Sequence, residues 1–186
     1  MSLIIKDEGS SFELVPRGLK KAVCIGVFDL GIQPSMNPQY PPKRQVLMRW
    51  ELDIKMEQGS NQGKPFCMSK FYTYNLHEKS NLSKDLESWL GKVFTKEERE
   101  SGFDAEQMMG KSCYMNITHD EKDGKPRAKI AAITELPSRV EELSPVEMLD
   151  PKNPPEWIKK IQAKQLQKSI LSPDEVNEIL DSELPF

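Results

Sequence analysis

The chain has 186 residues, of which 37% are hydrophobic and 30% are charged, and its formal net charge is −3. These values fit one globular domain with an appendage, and they exclude a strongly basic, histone-like DNA-packing protein. No apolar run approaches the ~20 residues that a membrane span needs, and the apolar stretch at residues 1–5 is too short for a signal peptide. Cys24, Cys67 and Cys113 form no CxxC motif, so we expect buried, free thiols in a reducing cytoplasm.

Acidic side chains are concentrated towards the C-terminal end of the chain. Residues 1–137 hold 20 basic and 19 acidic side chains, whereas residues 138–186 hold 6 basic and 10 acidic ones. We therefore expect a near-neutral body at 1–137 and an acidic C-terminal extension at 138–186. Such acidic ends are often interaction tails, and a solvated terminus is the alternative interpretation.

The first half of the chain predicts three strands. Leu19–Leu30 is apolar at both parities, which favours a strand buried on both faces, with Gly26 as a bend or bulge. The prolines of Gln33–Pro42 predict a loop. Alternation along Gln45–Met56 predicts a strand with one core face, and a glycine-containing turn makes Pro65–Leu76 its hairpin partner.

A helix and two further strands follow. Ser80 is the expected N-cap of the helix, and Gly91 is its expected stop. Lys111–His119 and Arg127–Leu136 are the predicted strands, and the Asp123-Gly124 turn joins them as a hairpin.

This order of elements predicts a mainly β fold. Five long strands, with a single helix between the third and the fourth, favour a small closed β-barrel. The OB-fold is such a barrel, and its ligand face lies on strands two and three. Other small α+β sheets share the same element count and remain an alternative.

The extension combines a proline-rich linker with helical segments. Prolines punctuate the chain beyond Leu136, and Glu156–Leu171 has an imperfect apolar stripe that predicts a helix. Ser172 and Glu175 form a capping box for a short helix through Leu180. We expect this extension to be partly flexible, with docking of its helices on the barrel, or dimerisation through them, as alternatives.

The sequence contains no recognisable catalytic or metal-binding motif. Its two histidines, His77 and His119, occur outside spacings such as HExxH, and the three separate cysteines form no zinc motif. We therefore expect a protein without enzymatic activity, cofactor or metal. A metal-dependent nuclease that uses His119 and Asp120 is the enzymatic alternative.

The third predicted strand, Pro65–Leu76, carries rings and a cation on one parity. Phe66, Lys70, Tyr72 and Tyr74 share that parity, so they form an open face if the other parity meets the core. Rings that stack on bases at ~1–3 kcal/mol each, beside cations that neutralise phosphates, are typical of a single-stranded nucleic-acid groove. Ordinary core rings and solvated cations are the alternative interpretation.

The neighbouring segments extend this predicted face. Arg49 and Lys55 lie on the hairpin partner, although Glu51 and Asp53 on the same strand would repel phosphate. The full set of candidate nucleic-acid-binding residues is Lys43, Arg44, Arg49, Lys55, Phe66, Lys70, Tyr72, Tyr74, Tyr114, Arg127 and Lys129.

The last residues carry a separate signal. Asp181 and Glu183 precede Leu184, Pro185 and a C-terminal Phe186. This end resembles the C-terminal tip of bacterial single-stranded DNA-binding proteins, in which acidic residues precede Ile-Pro-Phe. Leu184 stands where that tip has isoleucine.

The body is also similar to phage-encoded OB-fold single-stranded DNA-binding proteins. Gly18–Gly31, Trp50-Glu51-Leu52 and Leu76–Gly91 carry this resemblance, which covers roughly residues 14–136 and the tip. The resemblance implies a barrel that coats single-stranded DNA during replication, recombination or repair. We also expect a homo-oligomer, because single barrels of this size gain affinity by multivalency. A protein-interaction adaptor that binds no DNA is the alternative.

The same resemblance implies that residues 181–186 recruit enzymes of DNA metabolism. A partner can take the ring of Phe186 in an apolar pocket while a basic residue binds the terminal carboxylate. Pro185 lowers the cost of ordering the tip, and the acids steer it towards a basic surface.

Overall fold

A computed structural model describes residues 13–35 and 39–170, with side chains up to residue 164. The five strands occur in the predicted order, and two α-helices and a 3-10 turn, instead of a single helix, lie between the third and the fourth strand. In the described residues, no helix is both long enough and apolar enough to cross a membrane. The elements are β1 (Gly18–Gln33), β2 (Lys43–Lys55), β3 (Pro65–Thr73), α1 (Asn81–Leu90), α2 (Lys96–Ser101), β4 (Ser112–Lys122), β5 (Lys125–Glu135) and α3 (Glu156–Ile170).

The five strands form one antiparallel sheet in the order β3-β2-β1-β4-β5. In the described part of the chain no strand pairing joins β3 to β5, so the predicted closure of the barrel is wrong. Leu14 and Val15 line the groove that separates the two edge strands. Val15 is buried, and its carbonyl oxygen lies 2.7 Å from Nε2 of His119. The segment before β1 thus occupies space where the edges would meet.

The main core lies between the sheet and α1. Its members come from all five strands and from α1, and they include the alternating set predicted on β2, namely Val46, Met48, Trp50 and Leu52. The rings of Trp50 and Trp89 lie 5.9 Å apart. We call the sheet face that meets this core the inner face.

Local capping fixes the ends of α1, as predicted. Ser80 accepts a hydrogen bond from the backbone of Ser83, and Gly91 ends the helix at a φ of 64°. Trp89 then donates from Nε1 to the carbonyl of Ser112, 2.9 Å away, which ties α1 to β4.

A second, smaller core lies on the outer face of the sheet. It consists of Phe28 and Leu30 on β1, Leu47 on β2 and Ile158 on α3. The pairing of β1 with β2 shifts register at Gly26, the predicted bulge, where a Cβ atom would lie 2.6 Å from the ring of Phe28. The middle of β1, residues 22–28, is therefore buried on both faces, as the sequence predicts, whereas Leu19 at its start is exposed.

The segment between β5 and α3 is docked on the sheet along its described length. We call residues 139–155 the strap. Docking of the C-terminal extension on the sheet, one of the alternatives that the sequence left open, is therefore what the structure shows for residues up to 164. The carbonyl of Glu141 accepts a hydrogen bond from Nζ of Lys21 over 3.1 Å. Three backbone amides of the strap donate to the sheet: Leu143 to Oγ of Ser112 (2.8 Å), Val146 to Oε1 of Glu51 (2.9 Å) and Leu149 to the carbonyl of Ile25 (2.8 Å).

Ile158 anchors α3, because its side chain is fully buried. We expect Ile158→Ala to lower the free energy of unfolding by about 2–5 kcal/mol, since it removes a buried side chain and leaves a cavity. Chemical denaturation measures this change. Lys160→Ala, an exposed position on the same helix, is the matched control and should change stability by less than about 0.5 kcal/mol. Equal effects of the two variants would contradict the docking of α3.

Candidate nucleic-acid interface

The register of the β2–β3 hairpin places two predicted binding residues in the core. Val46 pairs with Tyr72, and Trp50 pairs with Met68. Tyr72 is 3% exposed and Phe66 is 4% exposed, so neither ring is open to a ligand. Their assignment to an open face is wrong.

The error has a simple geometric cause. Directly opposed residues of an antiparallel pair lie on the same face, so the core parity of β2 determines the core parity of β3. The sequence prediction gave β3 the opposite parity, which corresponds to a register one residue away. Both parities of β3 contain aromatic residues, so hydrophobicity alone did not distinguish the two registers.

Lys70 also differs from its prediction. It shares the inner parity with Tyr72, and both side chains bond to Oδ2 of Asp85 on α1, the tyrosine hydroxyl donating over 2.7 Å. Burial and the nearby Asp85 raise the pKa of Tyr72, so its hydroxyl stays protonated. Because Asp85 neutralises the charge of Lys70, this lysine is part of the packing between β3 and α1.

The outer parity of β3 carries an exposed ring that the sequence interpretation placed in the core. Phe71 is 53% exposed. Arg49 lies on the same outer face, and its guanidinium donates to Oγ of Ser69 over 3.0 Å. The same guanidinium lies over the ring of Trp157, 5.2 Å from the ring centre. The register of the β2–β3 hairpin, if known, would have been enough to predict that Phe71 is an exposed ring on the outer face.

A cation and an aromatic ring meet at the end of β3. The guanidinium carbon of Arg44 lies 4.3 Å from the ring centre of Tyr74, which is 56% exposed. Arg44 also pairs with Asp29 and holds the pKa of that carboxyl group below its usual value. Ile32 and Tyr40, at either end of the loop between β1 and β2, are exposed as well, as is Lys43.

A groove of about 630 Å³ lies between β3 and β5. Arg49, Lys64 and Arg127 contribute positive charge to its walls, and Glu13 is the acidic residue among them. The carboxylate of Glu13 accepts hydrogen bonds from two backbone amides of the β2–β3 turn. Arg127 pairs with Asp120 at 2.8 Å and lowers the pKa of that carboxyl group.

The remaining predicted residues lie elsewhere. Tyr114 is half-buried on the outer face of β4, next to Lys21, and Lys129 is exposed on β5. Lys55 is exposed at the end of β2. The tip residues Asp181, Glu183, Leu184, Pro185 and Phe186, like the predicted short helix before them, lie outside the described residues.

The groups proposed for metal chemistry are engaged in structural contacts. His119 contacts the backbone of Val15, and Asp120 pairs with Arg127. Within residues 13–35 and 39–170, no group of three or more His, Cys, Asp and Glu residues is arranged to hold a metal ion. Burial raises the pKa of the Cys24 thiol to about 12, so this cysteine is a poor nucleophile at neutral pH.

Exposed rings and cations lie along β3, with Phe71 and Arg49 on the outer face and Tyr74 and Arg44 at the inner parity, just past the end of the strand. We call Lys64, Arg127, Arg49, Phe71, Tyr74 and Arg44 the β3 track. The strand has nine residues and is therefore about 30 Å long. Because β3 is an edge of the sheet, a ligand can approach this track from the side.

No protein-family model matches the chain, and no curated protein matches it either.

The different burial of Tyr72 and Tyr74 gives a stability prediction. Tyr72→Ala removes a buried ring and its bond to Asp85, so we expect a loss of about 3–5 kcal/mol in the free energy of unfolding. Tyr74→Ala removes an exposed ring and should change that value by less than about 1 kcal/mol. Urea denaturation compares the two variants. A larger loss in the free energy of unfolding for Tyr74→Ala than for Tyr72→Ala would contradict the assignment of Tyr72 to the core and of Tyr74 to the surface.

Proposed function

We propose that the protein is a sequence-independent single-stranded DNA-binding protein, and that the β3 track is its DNA-binding surface. The observation that carries this proposal is the exposure of Phe71 and Tyr74 next to the guanidinium groups of Arg49 and Arg44. Solvent-exposed rings beside cations along one edge strand are what unpaired bases and their phosphates require.

Base stacking and phosphate neutralisation are both independent of the nucleotide sequence of the DNA. Every base has a π-face, so stacking on an exposed ring contributes ~1–3 kcal/mol whichever base is bound. Arg49 and Lys64 supply positive charge for the backbone at one end of the track. Arg127 and Arg44 form exposed ion pairs with Asp120 and Asp29, and each can exchange its carboxylate for a phosphate. The near-neutral charge of residues 1–137 favours moderate binding that weakens as salt is added.

The arrangement of the strands supports an OB-type fold. An OB barrel is partly open and is formed by five strands in Greek-key order, with a ligand face on strands two and three. Here the sheet order is β3-β2-β1-β4-β5, the first helix lies between β3 and β4, and the opening lies beside β3. The β3 track thus lies where such a fold binds oligonucleotides.

The proposed cellular role has two parts. The sheet coats single-stranded DNA during replication, recombination or repair, and self-association of the chain strengthens binding through multivalency. The acidic tip, Asp181, Glu183, Leu184, Pro185 and Phe186, recruits enzymes of DNA metabolism through its charges, its ring and its terminal carboxylate.

The direct test is fluorescence anisotropy of labelled oligo-dT at low and moderate salt. We expect tight binding at low salt that weakens as salt rises and that unlabelled duplex does not displace. Phe71→Ala and Tyr74→Ala should each lower the affinity about five- to 100-fold, because each removes one stacking ring.

Leu19→Ala is the matched control for these two variants. Leu19 is 60% exposed, but it lies on β1 opposite Asn116 of β4, away from the track. This variant should bind like the unaltered chain. Absence of binding at low salt would contradict the proposal and favour the adaptor, in which the same exposed rings contact a protein.

The ion pair between Asp29 and Arg44 gives a second test of the track. Asp29→Asn frees the guanidinium of Arg44 for phosphate, so we expect two- to fivefold tighter binding at low salt, about the free energy of an exposed ion pair. Glu100→Gln is the control, because it removes one negative charge from an exposed ion pair with Lys96 on α2. Equal strengthening by both variants would indicate an effect of net charge and would remove Arg44 from the interface.

A further inference from the structure

The three tryptophans of the chain occupy two different environments. Trp50 and Trp89 are buried, at 0% and 4% exposure, and pack against each other in the main core. Trp157, in the first turn of α3, is 39% exposed. The ring of Trp157 does not anchor α3, because the adjacent Ile158 is the fully buried residue.

Several contacts hold α3 and therefore hold Trp157 in place. Ile158 packs against Phe28, Leu30 and Leu47. Two glutamine side chains then link α3 to β1 by hydrogen bonds to backbone carbonyls. Nε2 of Gln162 donates to the carbonyl of Asp29 over 2.7 Å, and Nε2 of Gln33 donates to the carbonyl of Ile161 over 3.2 Å.

The position of Trp157 extends the β3 track. Arg49 contacts Ser69 of β3 on one side and the ring of Trp157 on the other. Phe71 lies two residues after Ser69 on the same outer face, a distance of about 7 Å along the strand. Arg49 therefore has two exposed rings as neighbours, Phe71 at the diagonal position of the β2–β3 pair and Trp157 of α3.

We propose that Trp157 is a base-stacking residue and that α3 is part of the DNA-binding surface. This inference rests on the proposed function and adds to it a residue from the C-terminal extension. A ring, a cation and a second ring in sequence match two successive bases with a phosphate between them. Tryptophan also has the largest stacking area of the aromatic side chains, and its docked helix lowers the entropic cost of binding.

Two of the nearby acidic groups are engaged elsewhere, whereas a third, the exposed Glu147 of the strap, acts on Cys67 beside Arg49 and partly offsets the attraction. Glu156, which precedes the tryptophan, pairs with Nζ of Lys159 at 3.0 Å. The carboxylate of Glu51, on the same strand as Arg49, is buried and accepts the backbone amide of Val146. Arg49 itself forms a neutral hydrogen bond with Ser69, so its charge is available to a phosphate.

Tryptophan fluorescence tests this inference in the unaltered chain. Oligo-dT is added to the full-length protein at low salt, and both the anisotropy of the labelled DNA and the intrinsic emission are followed. We expect binding to quench the emission of Trp157, because Trp50 and Trp89 are shielded in the core. Quenching and binding should saturate at the same DNA concentration.

Two variants test whether the quenching and part of the binding affinity come from Trp157. Trp157→Phe should bind DNA within about threefold of the unaltered chain, since phenylalanine also stacks, but its remaining emission should not be quenched. Trp157→Ala should bind about five- to 100-fold more weakly while it still unfolds in one cooperative thermal transition, because Ile158 still anchors α3.

The outcomes separate this inference from the function on which it rests. Binding without quenching, or unchanged affinity of Trp157→Ala, overturns the role of Trp157 and leaves the β3 track as the DNA-binding surface. Absence of binding to oligo-dT overturns both.

Discussion

The antiparallel pairing of β2 with β3 is the constraint on which the surface of this protein depends. Trp50 packs against Trp89 of α1, and its partner on β3, Met68, is therefore turned to the same side. Tyr72 follows with the same parity and bonds to Asp85 of α1. The intervening residues must face outward, so Phe71 meets solvent. The register that core packing imposes on β3 thus determines which of its aromatic rings are exposed to solvent.

A second layer on the outer face limits how much of the sheet remains accessible. α3 and the strap cover the middle of β1 and the adjoining part of β2, and they place Ile158 over Leu47 and a strap amide on the buried Glu51. The edge strand β3 lies beyond this cover. On the β2–β3 side of the sheet, the uncovered surface is consequently a narrow strip with Arg49 at its margin.

The sequence predicted the order of the elements because the signals involved are local. Alternation on β2, the cap at Ser80 and the stop at Gly91 each depend on residues a few positions apart. The accessible face of β3 depends on the register across a loop, and both of its parities contain rings. The position of Trp157 depends on the docking of α3 against strands more than 100 residues earlier in the chain, for which no local pattern exists.

The two-sided burial of β1 has a consequence for how this chain can be divided. A fragment that ends at residue 137 keeps every strand and α1, and by element count it resembles a complete domain. It would nevertheless expose Phe28, Leu30 and Leu47 to water and leave the carboxylate of Glu51 without its amide donor. We therefore expect a fragment that lacks the strap and α3 to aggregate, and a well-behaved fragment to extend through α3.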